Sequence, residues 1–256
     1  MKNAAETKQA ILDAAEALFA EHGYDIVSMR EVANRAGVPL GLINYHFGTK
    51  ERLFEAAIAR RAAELNARRR EALASIGKAP SIEAILVAFL RPYLELTLRG
   101  GPGWRSYGRL VAQTGQSHRW STLITSHFGE AARLFIAALI KAAPGLTREK
   151  ATRGYVHMVA AMMGIFASND LLDIISNGRH SSRDIERACG WAIPFLVGGF
   201  EGMAAYSSVV GMTAAPAKTV SQPSCAKLAV RAQAKNGARA PANDKRRRVA
   251  PVSPRA

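Results

Sequence analysis

The sequence predicts an all-α protein, and three observations carry that prediction. Apolar residues recur at helical intervals of three and four along nearly all of the first 207 residues. Strand-like alternation bounded by hairpin turns is absent. The interruptions fall at helix breakers: Gly23, Gly37, Gly77 with Pro80, Gly100-Gly101-Pro102-Gly103, Pro144-Gly145 and Ser176-Asn177-Gly178. The order of segments implies an N-terminal three-helix, helix-turn-helix domain followed by a larger helical domain.

The first helix is predicted over 6–22. Ile11, Ala14, Ala15, Leu18 and Phe19 follow i, i+3, i+4, i+7, i+8 and form one apolar face, which Gly23 terminates. Ser28 and Glu31 make an S-x-x-E capping box, in which each residue satisfies a backbone N–H of the other. It opens a second helix over 29–36. Gly37 ends that helix and permits the positive φ of a tight turn. A short third helix covers 39–46, with Pro39 in its first turn, where its missing N–H is tolerated. Ala33, facing the turn, lets the helices cross closely, and Val38 and Ile43 supply a small core. Thr49 is the predicted N-cap of a fourth helix over 50–75, with Leu53, Phe54, Ala57, Ile58 and Leu65 on its apolar side. That helix also carries arginines 60, 61, 68, 69 and 70, and the run Arg68-Arg69-Arg70 is expected to be a solvated face. Helix four therefore links a domain of residues 1–50 to one of residues 76–207. Within the second domain, helices are predicted at 81–99, 104–115, 121–143, 147–168 and 183–206.

Charge and composition narrow the class. The chain has 35 Lys+Arg and 20 Asp+Glu, a net +15. The excess is +1 over residues 1–75, +5 over 76–213 and +9 over 214–256. The last stretch also holds five of the 11 prolines and no aromatic residue. It has too little apolar surface to offset its ordering entropy, so residues 208–256 are expected to form a disordered, basic Pro/Ala-rich tail. Two cysteines, Cys189 and Cys225, cannot build a disulfide framework, and the six histidines show no metal spacing. No metal or cofactor is expected. Glu6, Asp13 and Glu16 interrupt any apolar leader, which favours a cytoplasmic setting. Only 188–217 invites a membrane reading. Its uninterrupted apolar part, 188–200, is 13 residues long and rich in glycine. That is short of the roughly 18–20 needed to span a bilayer, so no membrane partner is expected.

Residues 28–50 carry the functional signal. Two short helices joined through a glycine turn form the arrangement that places a second helix in a DNA major groove. The succession ILDAAEALF, SMREVANRAGV and NYHFGTKERLF resembles the N-terminal domain of TetR-family transcriptional repressors over residues 7–58. The resemblance implies an all-helical homodimer with an N-terminal DNA-binding domain, a C-terminal ligand-binding and dimerisation domain, and no catalysis. Position by position it implies DNA contacts by Ser28, Arg30, Gly41, Leu42, Asn44, Tyr45, His46 and Lys50. The chemistry agrees: helix N-termini at Ser28 and Thr49 offer N–H groups to phosphates. Asn44 suits adenine edges and Leu42 a thymine methyl, while Tyr45 and His46 suit the backbone. Phe47 is expected in the core. The chain departs from the family in having only Lys2 and Lys8 as early basic residues, and leucines at 40 and 42 where polar residues are common.

The second half is rich in aromatics and methionines at core spacing. Its candidate ligand-binding residues are Phe89, Tyr93, Arg105, Arg109, His127, Phe128, Met158 and Met162. The segments WRSYGRLV, HFGEAARLF and PGLTREKA, with NYHFGTK, are similar to a TetR branch that responds to fatty acids or their CoA thioesters. That resemblance implies Arg105 or Arg109 facing a carboxylate or phosphate, and an acyl tunnel lined by Phe and Met. Gly154, Ala160, Ala161, Gly164 and Ala167, with Trp191, Phe195 and Phe200, mark the last two helices as a four-helix homodimer interface. The expected partners are a palindromic double-stranded DNA operator, a small-molecule effector and a second copy of the chain. The alternative is a nonspecific architectural nucleic-acid binder that uses the basic tail. An enzyme lacks support, because there is no phosphate loop after a strand and no nucleophile with an ordered base.

Overall fold

The structure is a computed structural model that describes residues 3–206 except 116 and 168. The tail expected over 208–256, with Cys225, lies outside the described residues. Among the described residues there are helices and turns and no strand: α1 (Ala4–His22), α2 (Met29–Ala36), α3 (Leu40–Phe47), α4 (Lys50–Ser75), α5 (Ile82–Arg99), α6 (Pro102–Gly115), a 3-10 turn (His118–Trp120), α7 (Ser121–Ala142), α8 (Arg148–Ala167), α9 (Leu171–Ile175) and α10 (Ile185–Ala205).

The caps explain where the helices begin. α1 starts two residues earlier than predicted because Asn3 and Glu6 form their own capping box: Glu6 N–H donates to Asn3 Oδ1 at 2.8 Å and Asn3 N–H to Glu6 Oε2 at 3.0 Å. Pro39 is the extended N-cap of α3 (φ −60°, ψ 141°) rather than a residue of its first turn, so the helix runs one residue later than predicted. α6 begins at Pro102, since proline is well placed as a first helical residue. The 3-10 turn and the single-turn α9 were not predicted, being too short to show a periodic apolar face.

Helix packing joins the two predicted domains tightly. α1 packs on α2, α4 and α6, while α4 packs on α5 and α7; α5, α6, α7, α8 and α10 close the rest of the core. The carboxylate of Glu16 on α1, only 1% exposed, lies between two α4 arginines. Arg60 Nη2 donates to it at 2.6 Å and Arg61 Nε at 2.7 Å, and the Arg61 guanidinium stacks 5.0 Å from the Trp104 ring of α6. One buried anion thus ties together three helices from both sides of the predicted boundary.

Two expectations about the last helices need revision. Gly154 serves packing within this chain: a Cβ there would overlap the Phe200 ring of α10. Phe200 is itself buried at 2%, so it belongs to the subunit's core rather than to an outer face. α10 is also not the only segment with the length and mean hydropathy of a spanning helix, because 118–142 shares them. In the fold both pack along other helices, α7 on α4, α5 and α8, and α10 on α5 and α8.

Candidate nucleic-acid interface and effector cavity

The short helix α3 is built by a division of labour along its sequence. Ile43 (0% exposed) and Phe47 (6%) anchor α3 in the core with Val32 and Ala33 of α2. Helical spacing then turns the intervening residues outward. Gly41, Leu42, Asn44 and Tyr45 are all exposed, Tyr45 at 82%. His46 is half-buried, with its ring 5.2 Å from that of Tyr45. Gly37 adopts the left-handed conformation (φ 67°, ψ 39°) that the turn between α2 and α3 demands. Arg30 is exposed on the first turn of α2.

Ser28 and Lys50 are already engaged. The Ser28 hydroxyl accepts from Glu31 N–H at 3.2 Å and donates to Glu31 Oε2 at 2.8 Å, while Ser28 N–H donates to the same carboxylate at 2.7 Å. These bonds, the backbone one foremost, hold the Glu31 carboxyl below its usual pKa. Lys50 Nζ donates to the Asp25 carbonyl at 3.2 Å and sits 4.4 Å from the Tyr24 ring centre, which folds it onto the α1–α2 loop. The Thr49 cap of α4 is formed, with Arg52 N–H donating to Thr49 Oγ1 at 3.3 Å.

That same loop meets the 3-10 turn that leads into α7. Trp120 packs its ring 4.8 Å from Tyr24 and 4.6 Å from Phe54. Arg119 reaches Asp25 at 3.1 Å and stacks over Tyr24. Tyr24 donates its hydroxyl proton to Glu51 at 2.5 Å, and its pKa is pushed up to about 12, by desolvation first and by that bond second. The sequence reading missed this junction because its members are scattered over about a hundred residues.

A cavity of about 340 Å³ lies between α4, α5, α6, α7 and α8. Of the candidate ligand residues, Phe89, Phe128 and Met162 line it. Tyr93 and Met158 are buried in the core beside it, and Tyr93 stacks 4.2 Å from Phe166. His127 faces α4 instead, where its carbonyl accepts from Asn66 Nδ2 at 2.7 Å. Arg105 and Arg109 are exposed and border a separate polar cleft with Asp170 and Arg183. The arginine that reaches the apolar cavity is Arg69, 2% exposed, which corrects the expectation that Arg68-Arg69-Arg70 is a solvated face. Arg68 and Arg70 are indeed exposed. The signal was present in the stripe Ile58, Ala62, Leu65, whose four- and three-residue steps continue to position 69.

Two family models match the chain. "Bacterial regulatory proteins, tetR family" matches residues 11–57, and "Tetracyclin repressor-like, C-terminal domain" matches residues 87–199. The repressor BepR of Brucella suis is 46% identical over 57 residues, 22% of this chain and 27% of that protein. The repressor Rv3405c of Mycobacterium tuberculosis is 47% identical over 53 residues, 21% of this chain and 28% of that protein. The chain thus spans only about a quarter of the length of the curated relatives it matches. A TetR-like regulator from Rhodococcus sp. RHA1 shares the fold with a TM-score of 0.56 at 19% identity, over 79% of this chain and 99% of that one. With a helix-turn-helix match at one end, a repressor-like match over the other half and that shared scaffold, the chain belongs to the TetR family of transcriptional regulators.

Proposed function

We propose that the protein is a homodimeric, sequence-specific DNA-binding repressor that a small-molecule effector releases from a palindromic operator. The observation that carries this reading is the face of α3: a helix locked in place by Ile43 and Phe47, presenting Leu42, Asn44 and Tyr45 to solvent. Ser28, Arg30, His46 and Lys50 flank that face. Ser28 and Lys50 would have to exchange their present partners for phosphate oxygens. Two copies would place their recognition helices in successive major grooves, about 34 Å apart. The setting is cytoplasmic, on the nucleoid. The test is selection of bound DNA from a random pool with the full chain and with residues 1–207. An inverted repeat recovered with both is expected. Enrichment that vanishes on removing 208–256 would instead support the architectural binder.

The dimer face is taken to be α8 with α10. Trp191 and Phe195 are 72% and 76% exposed, and Gly164, Gly198 and Gly202 leave open space where a Cβ would stand. Large apolar groups on flat, glycine-lined helices suit a self-complementary contact.

The effector is taken to be an acyl compound, a fatty acid or its CoA thioester, held in the apolar cavity. Release would travel along α7. Its Ile124 and Phe128 line the cavity, and it begins immediately after the Arg119–Trp120 junction with the DNA-binding helices. An effector that shifts α7 therefore biases the position of the α1–α2 loop and α4. Arg119→Ala should keep effector binding and lower the effector's influence on operator affinity by roughly fivefold or more. Fluorescence anisotropy of labelled operator, titrated with effector, measures it. An unchanged release curve would show that α7 is not the route.

A further inference from the structure

Arg69 occupies a position that structure alone does not reward. It is buried at 2% with no carboxylate within ion-pair distance among the described residues. Nε donates to the Phe89 carbonyl at 3.0 Å and Nη2 to Met162 Sδ at 3.3 Å. The guanidinium lies 3.7 Å from the Phe89 ring centre and 5.9 Å from that of Tyr93. These neighbours hold the group in place but leave its charge uncompensated, and burial lowers its pKa to about 10. Three of its five N–H donors have no protein partner among the described residues. A purely structural residue here would do better as methionine or leucine, since a buried charge without a counter-ion is costly.

The surroundings say what would compensate it. Among the described residues, Arg69 is the one charged residue lining the cavity between α4 and α8. The walls around it are Leu65, Phe89, Val111, Phe128 and Met162. Tyr155 borders the same space, its hydroxyl kept protonated by burial and so available as a second donor. The mouth opens between α7 and α8, where Thr125, Thr152 and Val156 are exposed. A volume of about 340 Å³ holds roughly eleven water-sized groups at ~30 Å³ each. That suits an acyl or aryl body of about ten heavy atoms; a CoA head group would have to stay outside the mouth, and a thioester would bring no carboxylate to Arg69.

We infer that the cavity binds an amphipathic monocarboxylate, its free carboxylate on the Arg69 guanidinium and its apolar body among Phe89, Phe128 and Met162. The inference rests on the effector-controlled regulator proposed above and narrows it, choosing the free acid over the thioester. It also moves the acid-binding role from Arg105 and Arg109, which border the polar cleft, to an arginine inside the apolar one.

Calorimetric titration of the full chain with decanoate, decanol and decanoyl-CoA tests it. Wild type is expected to bind decanoate at least tenfold more tightly than either of the others. Arg69→Met should erase the preference for decanoate over decanol while leaving operator binding intact, and Arg69→Lys should restore part of it. Because Arg69 is buried, Phe128→Trp is the second variant: it leaves Arg69 in place, fills the cavity and should abolish decanoate binding. Equal affinity for decanol and decanoate, an unchanged preference in Arg69→Met, or tighter binding of decanoyl-CoA would each overturn the assignment. Operator release by decanol or decanoyl-CoA with decanoate inactive would also overturn it and leave the ligand-controlled regulator standing. Failure of the unliganded protein to select any operator would remove the regulator itself.

Discussion

Replacing Glu16 by alanine is expected to destabilise the protein by about 3–5 kcal/mol, the penalty for breaking a buried ion pair on one side. At about 2–4 °C per kcal/mol for a unit of this size, the thermal midpoint should fall by roughly 6–20 °C. The carboxylate is 1% exposed, while its partners Arg60 and Arg61 are 18% and 15% exposed. Without it, Arg60 keeps only Asp13 at 2.8 Å and Gln9 at 3.0 Å, and Arg61 keeps only the face of Trp104. Two guanidinium groups would then remain largely desolvated with one solvent-exposed anion between them. Glu16→Gln retains an acceptor and should lose less. Replacing Glu16, Arg60 and Arg61 together by methionine should recover most of the loss, because the cost lies in the unpaired charges rather than in missing packing. Scanning calorimetry of the four proteins decides the matter. A midpoint for Glu16→Ala within 2 °C of wild type would show that this triad contributes little. The effect extends beyond stability, since the triad joins α1, α4 and α6, and α1 supports the helices that present α3.

The parts of the fold that were legible in the sequence are those governed by local rules. The Ser28–Glu31 box, the Gly37 turn, the Thr49 cap and the stripe from Ile11 to Phe19 each depend on residues a few positions apart. All four appear in the structure where the spacing put them. The outward face of α3 was legible for the same reason, because burying Ile43 and Phe47 leaves Asn44 and Tyr45 no other direction. The parts that were not legible depend on distant elements. Arg69 looked like the middle of a solvated arginine run until α5 and α8 covered it. Lys50 looked free for phosphate until the α1–α2 loop presented the Asp25 carbonyl and the Tyr24 ring. The resemblance to acyl-responsive regulators implies Arg105 or Arg109 facing a ligand's acid group, yet the helix turns both to the opposite side of α6 from the buried rings of Trp104 and Tyr107. Periodicity alone could have revealed Arg69. Charge misled there, because an arginine is assumed to face water unless a partner is visible.

Asn44→Ala and Tyr45→Ala should each weaken binding to a selected operator by about 5–150-fold, the equivalent of the 1–3 kcal/mol that a good base or anchoring contact is worth. In the proposed symmetric dimer each substitution removes two contacts, so the upper part of that range is expected. Both side chains are exposed, so thermal midpoints should stay within about 2 °C of wild type, which separates lost recognition from lost folding. Ile43→Ala provides the contrast: at 0% exposure it should lower the midpoint as well as the affinity. Anisotropy titrations at fixed salt against operator and scrambled DNA measure these effects. Operator affinity unchanged in both Asn44→Ala and Tyr45→Ala would place recognition elsewhere in the chain. The charge distribution sharpens the expectation. Residues 1–50 hold five basic and six acidic side chains, against ten and one in 214–256. A domain with no net positive charge has little long-range attraction for DNA; its counter-ion release is limited to local cations such as Arg30 and Lys50, so its preference for an operator depends on the shape and chemistry of α3. Removing the tail should therefore flatten the salt dependence of binding to scrambled DNA and leave the ratio of operator to scrambled affinity larger, whereas Tyr45→Ala should collapse that ratio at every salt concentration.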